Sequence, residues 1–87
     1  MQYVRLKQFK KSYDKLPEDI KQKTRKAFEL FKQDQKHPSL NIKLIQGQKR
    51  KIYEGRINKY YRFTFEIVDD TIYFRNIGRH DIISVAP

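Results

Sequence analysis

The apolar positions of the chain change period at about residue 41, and that change separates a helical part from a sheet. Before it, Phe9, Tyr13 and Leu16 recur at i, i+4 and i+7, and Ile20, Thr24, Ala27, Phe28 and Phe31 at i, i+4, i+7, i+8 and i+11. Each set is the spacing of a helix with one buried stripe. Pro17 separates the two and suits the start of the second helix, because the N–H it lacks would go unpaired there anyway. Glu18 and Asp19 follow in the first turn, where the helix dipole favours acidic groups, and the helix is expected to stop before Pro38. Ahead of both, Tyr3, Val4 and Leu6 make the segment from Gln2 to Leu6 a short predicted strand.

From Asn41 onward the pattern alternates. Tyr61, Phe63, Phe65 and Ile67 point one way and Arg62, Thr64 and Glu66 the other, so Tyr60 to Val68 reads as a central strand with one face in the core. Asp69 and Asp70 form a tight turn into a strand from Thr71 to Ile77, and a strand from Ile52 to Ile57 precedes the pair across an Asn58-Lys59 turn. Connections this short make the strands antiparallel neighbours. Two helices joined at a proline, with apolar faces on one side, need a sheet to cover. The predicted fold is therefore α+β: an N-terminal strand and a two-helix hairpin packed on a twisted antiparallel sheet of about four strands. It forms one domain over residues 1–87, with polar side chains on the sheet's other face.

Composition sharpens this picture. With 38% hydrophobic and 14% aromatic residues, 87 residues supply one small core and no second domain. Twenty Lys and Arg against ten Asp and Glu leave a formal charge of +10, which opposes compaction by self-repulsion and points to a polyanion or an acidic protein as partner rather than to solubility alone. No cysteine is present, which excludes a disulfide framework and thiolate zinc sites. No apolar run reaches the ~18 residues of a membrane span and the N-terminus has no apolar leader core, so a soluble, cytoplasmic protein is expected.

The alternation also places chemistry. Arg62 lies opposite the aromatic stripe of its strand and Arg56 lies on the adjacent strand, so both guanidinium groups are expected over the polar face. Between Lys43 and Arg62 there are seven Lys or Arg residues and only one acidic residue, Glu54. Lys43, Lys49, Arg50 and Lys51 in this run are candidate RNA contacts, although charges on an exposed strand face also guard sheet edges. An arginine inside the most aromatic strand must pair, with Glu66 or Glu54, or await a ligand. His80 follows Ile77-Gly78-Arg79, where Gly78 permits a turn or bulge that re-aims it toward the arginines, with Asp81 beside it as an orienting group. His37, before Pro38, is either a further catalytic candidate or a cap on the end of the second helix. Guanidinium forks grip phosphate and imidazole exchanges a proton near neutral pH, so the set reads as a site for a phosphodiester that needs no metal and no cofactor.

In order and spacing, His37-Pro38-Ser39-Leu40, Leu44-Ile45-Gln46-Gly47, Ile52-Tyr53-Glu54-Gly55-Arg56-Ile57, Tyr61-Arg62-Phe63 and Ile77-Gly78-Arg79-His80-Asp81 resemble the RelE/ParE toxin superfamily, nearest its RelE and YafQ type of mRNA interferase. The resemblance spans essentially the whole chain. It implies a fold like that of microbial ribonucleases, cleavage of mRNA, commonly at the ribosome, and silencing by a cognate, here acidic, antitoxin. It also implies roles: Arg62 as the strand arginine stabilising the scissile phosphate, His80 at the late position held by a catalytic basic group, Arg56 as an upstream basic group, and His37 as a recurrent histidine of this branch; Arg79, next to His80, is expected to assist Arg62 at the phosphate as a further guanidinium. The chain departs from the pattern after Asp81, where no aromatic follows to stack on a base, so Tyr53, Tyr60 or Tyr73 would have to serve. The implied chemistry is attack of a ribose 2′-OH on the adjacent phosphorus, with His37, Glu54 or a lysine as base. Two other readings stand beside it: a ParE-like gyrase inhibitor without nuclease activity, and a non-catalytic RNA-binding module using the exposed tyrosines.

Overall fold

The computed structural model describes residues 1–87 apart from the side chain of Ile82. The chain runs β1 (Gln2–Arg5), α1 (Lys7–Asp14), α2 (Glu18–Gln33), a 3-10 turn (Pro38–Leu40), β2 (Lys43–Leu44), β3 (Tyr53–Arg56), β4 (Tyr61–Val68), β5 (Thr71–Arg79) and α3 (His80–Val85). The two helical stripes and the alternating strands fall where the periods put them. Pro17 sits at the N-cap of α2, whose first turn holds Glu18 and Asp19.

The sheet has five strands in the order β1-β5-β4-β3-β2. It is mixed rather than wholly antiparallel, because β1 joins its edge parallel to β5, Gln2 opposite Thr71 and Arg5 opposite Phe74. A four-residue strand carries no signal of direction; its partner arrives from the far end of the chain. β2, only two residues long, adds the fifth strand at the other edge. β4 and β5 pair across the predicted turn, Val68 opposite Thr71, with Asp69 in the left-handed region at φ 55°. The register then slips: Phe65 pairs with Phe74 but Thr64 pairs with Asn76, so Arg75 is an extra residue and β5 bulges there. The bulge thus falls at Arg75 and not at Gly78, which stays in register opposite Arg62.

α1 and α2 cover one face. Phe9 and Phe31 bring the helical stripes onto Phe63, Phe65 and Phe74 of the strands in one buried cluster, joined at its edge by half-buried Phe28. The Phe28 and Phe74 rings stack at 4.3 Å between centroids. Ile67, expected in this stripe, is 42% exposed, since β4 runs on past the helical layer. Close packing makes one glycine necessary. Gly55 pairs with Phe63, and a methyl group on it would overlap the Phe63 ring and come within 2.8 Å of Ile42 Cδ1. Gly55→Ala is expected to cost about 1–3 kcal/mol of overpacking strain, read as a lowered urea midpoint with an unchanged slope.

The other face is polar, as the alternation requires, but its middle is covered. α3, which the sequence pattern did not signal, lies against β4 and β5 with Ile83 buried. Beyond it Asn76 Nδ2 donates to the Ala86 carbonyl at 2.8 Å, and Thr64 Oγ1 and Arg75 Nε donate to the Pro87 carbonyl at 3.2 and 3.4 Å. Among the described residues, no helix is long and apolar enough to cross a membrane.

Candidate phosphate-binding face

Arg56 and Arg62 face each other across the β3–β4 ladder. Both have the strand parity of Thr64, opposite to that of Phe63 and Phe65, so they share the polar face at its β3–β4 turn end. Like charges directly opposite one another in a ladder are unfavourable. Neither arginine is among the ion pairs of the described residues, so Arg62 pairs with neither Glu66 nor Glu54. Instead Arg62 Nη1 donates to the carbonyls of Asn58, Tyr61 and Lys59 at 2.7, 3.1 and 3.5 Å. Those carbonyls are fixed in turn, because Asn58 Oδ1 accepts from the N–H groups of Tyr60 and Tyr61 at 2.9 and 3.0 Å. One corner of the guanidinium is thereby locked to the turn, while Nε and Nη2 have no partner among the described residues. A fork held this way loses little entropy on gripping a phosphate. Sequence reasoning placed Asn58 in the turn but missed its bracing role; an Asn at a hairpin turn was the available signal.

His80 lies at the same end. It opens α3 rather than trailing a strand end, and its N–H donates to the Tyr60 carbonyl at 2.9 Å. Its side chain is exposed, as is Asp81 beside it. Gly78, opposite Arg62, adds no side chain between the two. Arg79 has the other parity, opposite Tyr61, and its guanidinium lies over the rings of Tyr60 and Tyr61, 5.5 and 6.0 Å from their centroids. Lys59 Nζ lies 5.5 Å from the Tyr60 ring.

The remaining predicted positions divide. Lys43 Nζ pairs with Glu54 at 3.5 Å, and Arg50 Nε pairs with Glu66 at 3.3 Å. Glu66 is buried and also takes Arg75 Nη1 at 3.0 Å, so Arg50 is a fastener of the 45–52 loop rather than a free cation. Lys49 and Lys51 are exposed on that loop. Tyr53 turns to the helical side, stacked on Phe65 at 5.5 Å, and Tyr73 lies across from Glu66 toward the far end of β5.

His37 is not brought to the arginines. α2 ends at Gln33, four residues before its expected histidine cap; His37 instead caps the 3-10 turn, its Nδ1 accepting from the Ser39 N–H at 3.2 Å, with Ser39 Oγ 2.8 Å away. It lines a cleft of about 560 Å³ with Phe31, Tyr53 and Phe65, on the face of the sheet away from Arg56 and Arg62.

No family model matches the chain, and no curated protein does. Solved structures do. YafQ from E. coli strain BL21(DE3) superimposes with a TM-score of 0.79 over 94% of this chain and 96% of that one, at 12% identity. A chain of the RelB–RelE antitoxin–toxin complex from Methanococcus jannaschii gives 0.75 over 97% and 99%, at 26% identity. The YoeB/ParE toxin from Agrobacterium tumefaciens gives 0.76 over 92% and 99%, at 13% identity. The chain has the RelE/ParE toxin fold. On this fold Arg56 and Arg62 face each other at the open end of the polar face, without an ion-pair partner among the described residues, and His80 begins α3 at the same end.

Proposed function

We propose that the chain is the toxin of a type II toxin–antitoxin pair and that it cuts mRNA, in association with the ribosome, by attack of a ribose 2′-OH on the neighbouring phosphorus. The observation that carries this reading is the cross-strand pair Arg56 and Arg62, two like charges without a carboxylate between them, at the sheet end where His80 begins α3. An unneutralised pair of this kind is stabilised by an anion. The fold, shared with toxins whose structures include complexes with RelB and DinJ, supports an antitoxin partner, acidic where it covers this face.

In the reaction a base takes the 2′-OH proton, the oxygen attacks phosphorus, and an acid protonates the departing 5′-oxygen, leaving a 2′,3′-cyclic phosphate. Arg62, fixed in advance by its turn carbonyls, meets the charge that grows on the phosphorane, and Arg56 assists from the adjacent strand. His80 supplies the proton to the leaving group. The base is drawn from the polar face, where Glu54 is two residues from Arg56; His37, on the other side of the sheet, is not part of this scheme. DNA lacks the attacking hydroxyl and is no substrate.

The test is incubation of the purified protein with mRNA under translation and mapping of the new ends. Cyclic-phosphate ends are expected, with His80→Ala slowing their appearance about 100-fold. Binding without new ends would leave an RNA-binding module, and a block of DNA replication preceding the loss of protein synthesis on expression would replace the nuclease with a gyrase inhibitor.

A further inference from the structure

We propose that Arg79 and Tyr60 form a stacking platform for one nucleobase of single-stranded RNA, at the edge of the phosphate site and beside His80. The inference rests on the RNA-cutting reading for its ligand, but on separate residues. Arg79 sits on the aromatic parity of the sheet, away from Arg56 and Arg62, so it is poorly placed to add a third charge to the same phosphate. What holds it is a pair of rings: its guanidinium carbon is 5.5 Å from the Tyr60 centroid and 6.0 Å from that of Tyr61, and it has no carboxylate partner among the described residues. These are cation–π distances that keep the exposed guanidinium beside the Tyr60 ring, and bases of unpaired RNA stack on guanidinium planes as they do on aromatic rings.

Tyr60 supplies the base of the stack. Its side chain is 51% exposed and has no part in the core, yet its backbone is pinned on both sides, by its N–H to Asn58 Oδ1 and by its carbonyl to the His80 N–H, each at 2.9 Å. A large exposed ring on a rigid turn, one hydrogen bond from the proposed acid, is placed for a ligand rather than for folding. Neither of the other two tyrosines suggested for stacking meets these conditions. Tyr53 is committed to Phe65 on the helical side, and Tyr73 is half-buried at the opposite end of β5. Lys59 also lies over Tyr60, on a flexible stem that yields to a base at little cost.

The experiment uses short single-stranded RNA with 2′-O-methyl riboses, which cannot be cut, carrying the fluorescent base 2-aminopurine at each position in turn. Wild-type protein is expected to quench one position. Tyr60→Phe keeps the quench, while Tyr60→Ala and Arg79→Lys lose it and weaken binding by about 5- to 150-fold, the range for one stacked base. The lysine variant is decisive, because it retains the charge and loses the plane. An abasic site at the quenched position removes the difference between wild type and variants. Parallel cleavage of all-ribose RNA is expected to show a raised KM with kcat changed only a few-fold. Arg79→Lys binding like wild type while Arg79→Ala does not, or an unaltered quench in Tyr60→Ala, overturns the platform. No quench with normal cleavage overturns the platform alone; quench without cleavage overturns the nuclease alone.

Discussion

Arg62→Ala is expected to slow RNA cleavage by roughly 100- to 1,000-fold, the loss seen when one donor aimed at developing negative charge is removed from an active site. The size of the effect follows from how the side chain is held. Nη1 is occupied by three carbonyls of the β3–β4 turn, so the guanidinium has one orientation before any substrate arrives, with Nε and Nη2 left to meet two oxygens of one phosphate. Arg62→Lys is therefore expected to recover little of the loss, because a single ammonium cannot both tie the turn and straddle a phosphate. The alanine variant also forfeits the turn contacts, at about 1 kcal/mol since water can replace Nη1 at a half-buried site. That cost leaves the circular dichroism spectrum unchanged and the urea midpoint only slightly lowered. A well-folded Arg62→Ala protein that cleaves at the wild-type rate would refute the assignment.

What the residues disclosed and what they withheld follow one physical line. Where a single rule decides, as in the alternation of Tyr61 to Val68 or the i, i+4 stripe from Ile20 to Phe31, both the element and its face were legible, and with them the meeting of Arg56 and Arg62 on one side. Parity fails where the ladder changes count. The extra residue at Arg75 brings Arg75 within reach of Glu66 as well as placing Asn76 opposite Thr64, an arrangement no alternation predicts. Neither sequence-based role of His37, catalytic candidate or cap of the second helix, fits its actual place, because α2 ends at Gln33 and the histidine lies on the helical side of the sheet. α3 escaped because six residues span fewer than two helical turns, too few to establish a period; its place depends on side chains of β4 and β5. Arg79, expected to assist Arg62 at the phosphate, is turned toward the tyrosines by strand parity.

Phe31→Ala is expected to remove most of the stability of the fold. The ring is 0% exposed and stands edge-on to three strand residues, with centroids 5.9, 5.0 and 5.8 Å from Phe63, Phe65 and Phe74. Together with Phe28, which stacks on Phe74 and meets Phe63 edge-on, it fastens α2 across β4 and β5. Truncating a buried phenylalanine costs about 3–5 kcal/mol, part lost transfer energy and part the cavity left behind, and edge-to-face pairs add to what is forfeited. A chain of 87 residues has about 4–13 kcal/mol in all, and a surplus of ten positive charges works against compaction, so the lower part of that range applies. The variant is expected to be largely unfolded at 37 °C and low salt, and to regain helical signal when sulfate screens the charges and strengthens apolar burial. This separates it from Arg62→Ala, which loses cleavage with the fold intact. A Phe31→Ala protein whose urea midpoint matches that of the parent would mean that α2 is held to the sheet by something other than this cluster.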